Sequence, residues 1–97
     1  MWFIVYGMEN PFIIQSKQFD KEFKKLPNTI KEKFLDRLDM FIIDQYNILL
    51  KRHLLRGKYY GHESINITGD YRAIFKFISP NIFKFVRIGT HSELYKG

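Results

Sequence analysis

HLLRGKYYGHESINITGDYRAIFKFISPNIFKFVRIGTHSELY, residues 53–95, decides how this chain folds. The stretch holds all three histidines and four of the six tyrosines. From residue 62 it breaks into three runs of alternating apolar and polar residues, the period of a half-buried strand. The first, 62–68, turns Ile65 and Ile67 inward and Ser64, Asn66 and Thr68 outward. Gly69-Asp70 makes a tight turn. The second, Tyr71 to Ile78, places Tyr71, Ala73, Phe75 and Phe77 on one face and Arg72, Ile74 and Lys76 on the other. Pro80-Asn81 turns the chain again. The third, Phe83 to Ile88, puts Phe83, Phe85 and Arg87 on one face and Lys84, Val86 and Ile88 on the other. Connections this short make antiparallel neighbours. Gly89 ends the third strand, and Thr90 or Ser92 can cap a last helical turn.

Working outward, residues 45–61 read as a connection dense in Lys, Arg, Tyr and Gly. Before it lie two helices. Ser16 is a candidate N-cap for the first, Lys17 to Lys25, whose buried stripe is Phe19, Phe23 and Leu26. Pro27 interrupts the pattern. Asn28 or Thr29 can cap a second helix running to about Asp44, with Ile30, Phe34, Leu38, Phe41 and Ile42 on its apolar face. Its other face, with Lys31, Glu32, Lys33, Asp36 and Arg37, reads as solvated. A short strand, FIIQS at 12–16, precedes both. The expectation is one α+β domain over 1–97, an N-terminal strand and helix hairpin packed on an antiparallel sheet.

Composition narrows the class. A chain of 97 residues has room for one core, and 45% apolar with 18% aromatic residues is enough to fill it. With no cysteine, neither disulfides nor thiolate metal sites are available, which suits the cytoplasm. No apolar run approaches the roughly 20 residues needed to span a bilayer. The segment MWFIVYG at 1–7 is apolar, but it is short for a signal peptide and lacks a basic flank. Met8 offers a second candidate start. Sixteen basic against ten acidic residues leave a net charge of +6, which points to a polyanionic partner.

Hairpin geometry sets the start of strand 71–78 beside the end of strand 83–88. Asp70, Arg72, Arg87 and His91 are therefore expected to share one edge of the sheet. A carboxylate, two guanidinium groups and an imidazole suit phosphodiester chemistry. Cleaving RNA requires a base for the 2′-hydroxyl, an acid for the departing 5′-oxygen, and cations for the charge between them. Each residue also has a plainer role: Asp70 as a turn residue, Arg87 paired with Glu93, Tyr95 as packing, His53 and His62 as exposed side chains. Lys51, Arg52, Arg56 and Lys58 form the densest basic cluster, suited to phosphates or to solubility. His53, His62 and His91 have no metal-ligand spacing.

At H-x-L-x-G (53–57), D-Y (70–71) and R-x-G-T-H-S-E-L-Y (87–95) the chain resembles the RelE/ParE superfamily of type II toxins. Within it the resemblance is to the YafQ-like mRNA interferases, and it covers nearly all of the sequence. The resemblance implies a RelE-like fold, a small curved sheet with the helix hairpin on one side and a concave face that meets mRNA on the ribosome. It implies an endoribonuclease that needs no cofactor or metal. The RNA's own 2′-hydroxyl attacks, leaving a 2′,3′-cyclic phosphate. The partners implied are a cognate antitoxin, the ribosome and mRNA, with no membrane.

Carried over, the branch's catalytic set maps to His53, Asp70, Arg87 and His91. Arg72 matches the G-Y-R arginine of RelE itself. Tyr71 and Tyr95 stand where the family has aromatics that stack on bases. Asn66 stands where the branch has a second histidine, and asparagine cannot shuttle a proton. His62 faces the same way as Asn66 but lies four residues away, about 13 Å along a strand. The alternatives are a ParE-like inhibitor of DNA gyrase that cuts no RNA, or a member that only binds its antitoxin.

Overall fold

A computed structural model describes residues 11–95, so the apolar segment 1–7 and Met8 lie outside the described residues. Strand β1 (Phe12–Gln15) leads into helix α1 (Lys17–Lys24). Ser16 makes the joint. Its Oγ accepts from the Phe19 amide at 3.0 Å and donates to the Val86 carbonyl at 2.9 Å, so one hydroxyl caps the helix and ties it to the sheet. Helix α2 (Asn28–Ile43) starts without a side-chain cap, contrary to the expected Asn28 or Thr29. Pro27 occupies the cap position, and its carbonyl takes the first amides, from Ile30 and Lys31.

The meander forms as the alternation demands: β3 (Glu63–Asn66), β4 (Tyr71–Ser79) and β5 (Ile82–Thr90), followed by helix α3 (His91–Tyr95). The 45–61 connection hides a two-residue strand, β2 (His53–Leu54), which pairs with β3. The sheet order is β1-β5-β4-β3-β2, with β1 parallel to β5 and the other neighbours antiparallel. A run of two residues is too short for periodicity to reveal, which is why the sequence reads there as a loop.

One irregularity resets the last strand. Ile74 pairs with Arg87 and Phe75 with Phe85, so Val86 is an extra residue, a β-bulge. An added residue flips every side chain beyond it to the other face. Ile88 therefore pairs with Ala73 inside the core, and Arg87 emerges on the side away from the helices. The sequence pattern had them reversed.

The main core lies between sheet and helices. Phe19, Phe34, Phe41, Phe75, Phe83 and Phe85 are buried there with tilted or edge-on ring contacts. Burying each such ring contributes roughly 1.5–3 kcal/mol. A second, smaller cluster covers the opposite face: Tyr59, Ile74 and Leu94 with Leu55, Val86 and Tyr95. It explains why Ser64 and Ile74, expected to point outward, are fully buried. Segment 55–62 and α3 fold back over that face. Arg37 also departs from expectation. It is half-buried, and its Nε is shut off from water instead of lying on a solvated helix face.

Candidate functional site

The face turned away from the helices carries two cross-strand rows. One runs His53–Ser64–Ile74–Arg87 over β2 to β5, and the other runs Asn66–Arg72–Gly89 over β3 to β5. Only the bulge brings Arg87 into the first row.

Arg87 is the most firmly held of the expected residues. Its Nε and Nη2 donate to Glu22 Oε2 at 2.7 and 2.6 Å, and its Nη1 donates to the Tyr59 hydroxyl at 2.6 Å. Glu22 comes from α1 because β1 stops pairing with β5 at Phe85, leaving the rest of that edge open. The carboxylate covers it, Oε1 accepting from the Ile88 amide at 3.0 Å and Oε2 from Gln18 at 3.1 Å. Burial works to raise the Glu22 carboxyl, but hydrogen bonds from Arg87, the Ile88 amide and Gln18 outweigh it and hold it below its ordinary value. Hydrogen bonding to Glu22 holds the Arg87 guanidinium above its ordinary value against its burial. Three of the five N–H groups of Arg87 are engaged, so two remain for an oxyanion. The sequence suggested Glu93 as a partner for Arg87; the structure supplies Glu22 and Tyr59, neither of which stood out in the sequence.

Asp70, Arg72 and His91 gather at the neighbouring end of the sheet. The His91 amide donates to the Asp70 carbonyl at 2.9 Å, which locks the start of α3 to the β3–β4 turn. Arg72 Nη1 lies 3.1–3.2 Å from the carbonyls of Thr68, Gly69 and Tyr71 and so clamps the same turn. Thr90 and Glu93 cap α3 reciprocally: Glu93 Oε1 accepts the Thr90 amide at 2.8 Å, and Thr90 Oγ1 accepts the Glu93 amide at 3.2 Å. Arg87 does not join this group directly, so the single edge expected from the hairpins is divided in two. An aromatic bridge connects the halves. The His91 ring lies 4.7 Å from Tyr95, and Tyr95 lies 5.8 Å from Tyr59, whose hydroxyl holds Arg87.

His53 is exposed on the far strand. Its Nδ1 lies 2.9 Å from the Lys51 carbonyl, which can only accept, so the proton sits on Nδ1 and a neutral ring keeps Nε2 as an acceptor. Three strand spacings, about 14 Å, separate it from Arg87 in the row. His62 is not a free surface histidine: its ring packs edge-on against Tyr59 at 6.2 Å, and its Nδ1 is buried with no partner among the described residues.

The expected RNA-contacting residues divide similarly. Lys51, Arg56 and Lys58 are exposed, with the Lys58 ammonium 5.4 Å above the Tyr59 ring. Asn66 sits beside Arg72 on the open face. Arg52 turns inward, contrary to expectation. Glu63 binds it at 2.6 and 3.0 Å, Gln45 at 2.6 Å, and it stacks over Tyr46 and Phe75. Tyr71 lies on the helix side, packed against the main core in a groove with Leu26, Pro27 and Ile88. Among the described residues no group of three acidic or histidine side chains could hold a metal ion, and no helix is long and apolar enough to cross a membrane.

The architecture is similar to that of solved toxins. It aligns with YafQ from E. coli at 26% identity and a TM-score of 0.70, over 88% of this chain and 98% of that one. A chain of the E. coli DinJ–YafQ toxin–antitoxin complex aligns at 24% identity and a TM-score of 0.72, over 90% and 99%. The YoeB/ParE toxin from Agrobacterium tumefaciens shares the fold at 17% identity and a TM-score of 0.68, over 82% and 98%. No family model matches the sequence, and no curated protein matches it either.

Proposed function

The chain is, by fold, a YafQ-like toxin of the RelE/ParE superfamily, and from that premise we propose that it cleaves messenger RNA on the ribosome, restrained by a cognate antitoxin. On this reading it acts in the cytoplasm and needs neither metal nor cofactor. The observation that carries it is the Arg87 guanidinium, brought by a bulge to the face away from the helices and held there by Glu22 and Tyr59.

A base removes the proton of the 2′-hydroxyl, and its oxygen bonds to the adjacent phosphorus. The P–O5′ bond breaks, and His91 gives its proton to the departing 5′-oxygen. The products are a 2′,3′-cyclic phosphate and a 5′-hydroxyl end. Arg87, with two N–H groups to offer, stabilises the charge on the phosphoryl oxygens. Arg72 adds positive charge from the turn it clamps. On this reading Asp70, whose backbone carbonyl accepts from the His91 amide, acts as the base in preference to His53, which lies three strands from Arg87. His53 then serves a neighbouring nucleotide, together with Lys51, Arg56, Lys58 and Asn66. Tyr95 stacks on a base from the open face. Tyr71, on the helix side, contacts RNA only where the strand passes around the end of the sheet.

Induced expression with primer extension on cellular messages tests this. Wild type should halt growth and yield cut messages, whereas His91→Ala should leave both intact. If wild type arrests growth with its messages whole, the nuclease assignment fails.

A further inference from the structure

Arg37 stands outside the residues assigned above, Lys51 is among those given to a neighbouring nucleotide, and both are unusual. Arg37 comes from the α2 face that the sequence marks as solvated, yet its Nε is sealed from water with no acceptor among the described residues. Lys51 has φ +49°, making it the one non-glycine residue in the left-handed region among those described. That conformation disfavours a side chain with a Cβ, and glycine would adopt it freely.

The two residues meet at one surface pocket of about 270 Å³, whose wall also includes Asn66, Thr68 and Gly69. It lies where β2 has ended and the edge of β3 beyond Ser64 is uncovered. Asn66 belongs to the same cross-strand row as Arg72. The row therefore runs from the His91 end of the sheet, across Arg72 and Asn66, into a pocket lined by Arg37 and Lys51.

We propose that Arg37 and Lys51, with the turn joining β3 to β4, form a subsite for a backbone phosphate of the RNA strand, away from the bond that is cut. The inference rests on the ribonuclease reading. A half-buried arginine and an exposed lysine lining one pocket suit an anion, which Arg37 would take through its terminal nitrogens because its Nε is closed off. The row's continuity with the open face favours the next phosphate of one polynucleotide over an acidic side chain from a protein. Lys51 takes the left-handed backbone as the C-cap of the turn Ile48–Leu50, its amide donating to the Ile48 carbonyl, and a lysine there adds a cation that the glycine usual at such a cap would not.

Fluorescence anisotropy with a short fluorescein-labelled RNA tests it. The RNA is 2′-O-methylated throughout, so it offers no nucleophile and stays whole. Arg37→Met keeps the unbranched stem that packs on the fold, and Lys51→Gly keeps the left-handed backbone. Each should weaken RNA binding about tenfold and reduce the slope of log K against log salt by about 0.7. The Tm of Arg37→Met should hold, and that of Lys51→Gly should hold or rise. Unchanged RNA affinity in both variants, with wild type binding well, would overturn the subsite alone. So would a loss confined to a labelled polyglutamate peptide. A wild type that binds no RNA at low salt overturns the subsite, while the ribonuclease reading stands or falls with the primer-extension experiment.

Discussion

Glu22 does two jobs with one carboxylate: it satisfies the open edge of β5 through the Ile88 amide and it aims Arg87. The substitution Glu22→Gln separates them. The amide oxygen can still accept from Ile88, but its NH2 group faces the guanidinium and cannot hold it. On the proposed ribonuclease reading, the expected outcome is a loss of about 1 kcal/mol in stability and about 100-fold in cleavage, since a small misplacement of a catalytic group has that effect. Urea unfolding and single-turnover cleavage on programmed ribosomes measure the two. Adding Glu22→Gln to Arg87→Ala should cost little further activity, because the carboxylate acts through the arginine. A second residue-scale prediction concerns Ser64. Its Oγ is buried with no partner among the described residues, so Ser64→Ala should raise stability by about 1 kcal/mol in thermal unfolding.

Among the elements, β5 decides which face Arg87 takes through its bulge at Val86. Deleting Val86 would make the pairing regular and leave Arg87 opposite Ile74 and Ile88 opposite Ala73, each on the face it now occupies. What is lost is the Val86 side chain packed against the second cluster and the carbonyl that Ser16 binds. The deletion should therefore cost about 1–3 kcal/mol in thermal unfolding and leave Arg87 on its present face. A deletion variant that no longer folds would show that the bulge itself holds β5 in register. The α3 turn matters in a related way. The reciprocal Thr90–Glu93 cap and the Asp70–His91 backbone bond position His91 and Tyr95 over the sheet, although the helix spans only five residues.

For the whole molecule, the Arg87–Glu22 pair fastens helix layer to sheet, so it ties stability to pH. The folded Glu22 carboxyl lies below its ordinary 4.5, so its contribution is complete above 4.5 and is lost as pH falls through the lowered value. Tm should therefore decline on acidification below about pH 4.5, and the decline should be shallower in Glu22→Gln. Equal slopes in the two proteins would remove Glu22 from the account. Arg52 plays the corresponding part at the other end of the sheet. Hydrogen bonds that it donates to Glu63 raise it above its ordinary value against its burial, and it sits among aromatic rings. One of the charges that looked available to RNA is thus part of the core.

Alternation and cap chemistry were enough, from the sequence alone, to establish the meander, both long helices, the Ser16 cap and the aromatic core. These are local properties, set by which residues recur at a period of two or 3.6. The placing of Asp70 beside His91 was also legible, because a tight hairpin leaves its ends no other neighbour. Tertiary structure decided what depends on distant partners. Val86 is a bulge only because of its pairing with β4. Arg87 is braced only because α1 covers an edge that β1 leaves open. Tyr59 reaches it only because a loop folds back over the sheet. Arg37 and Arg52 are drawn inward by surfaces from remote parts of the chain. No periodicity encodes these contacts, since each joins residues whose spacing in sequence bears no relation to their nearness in space.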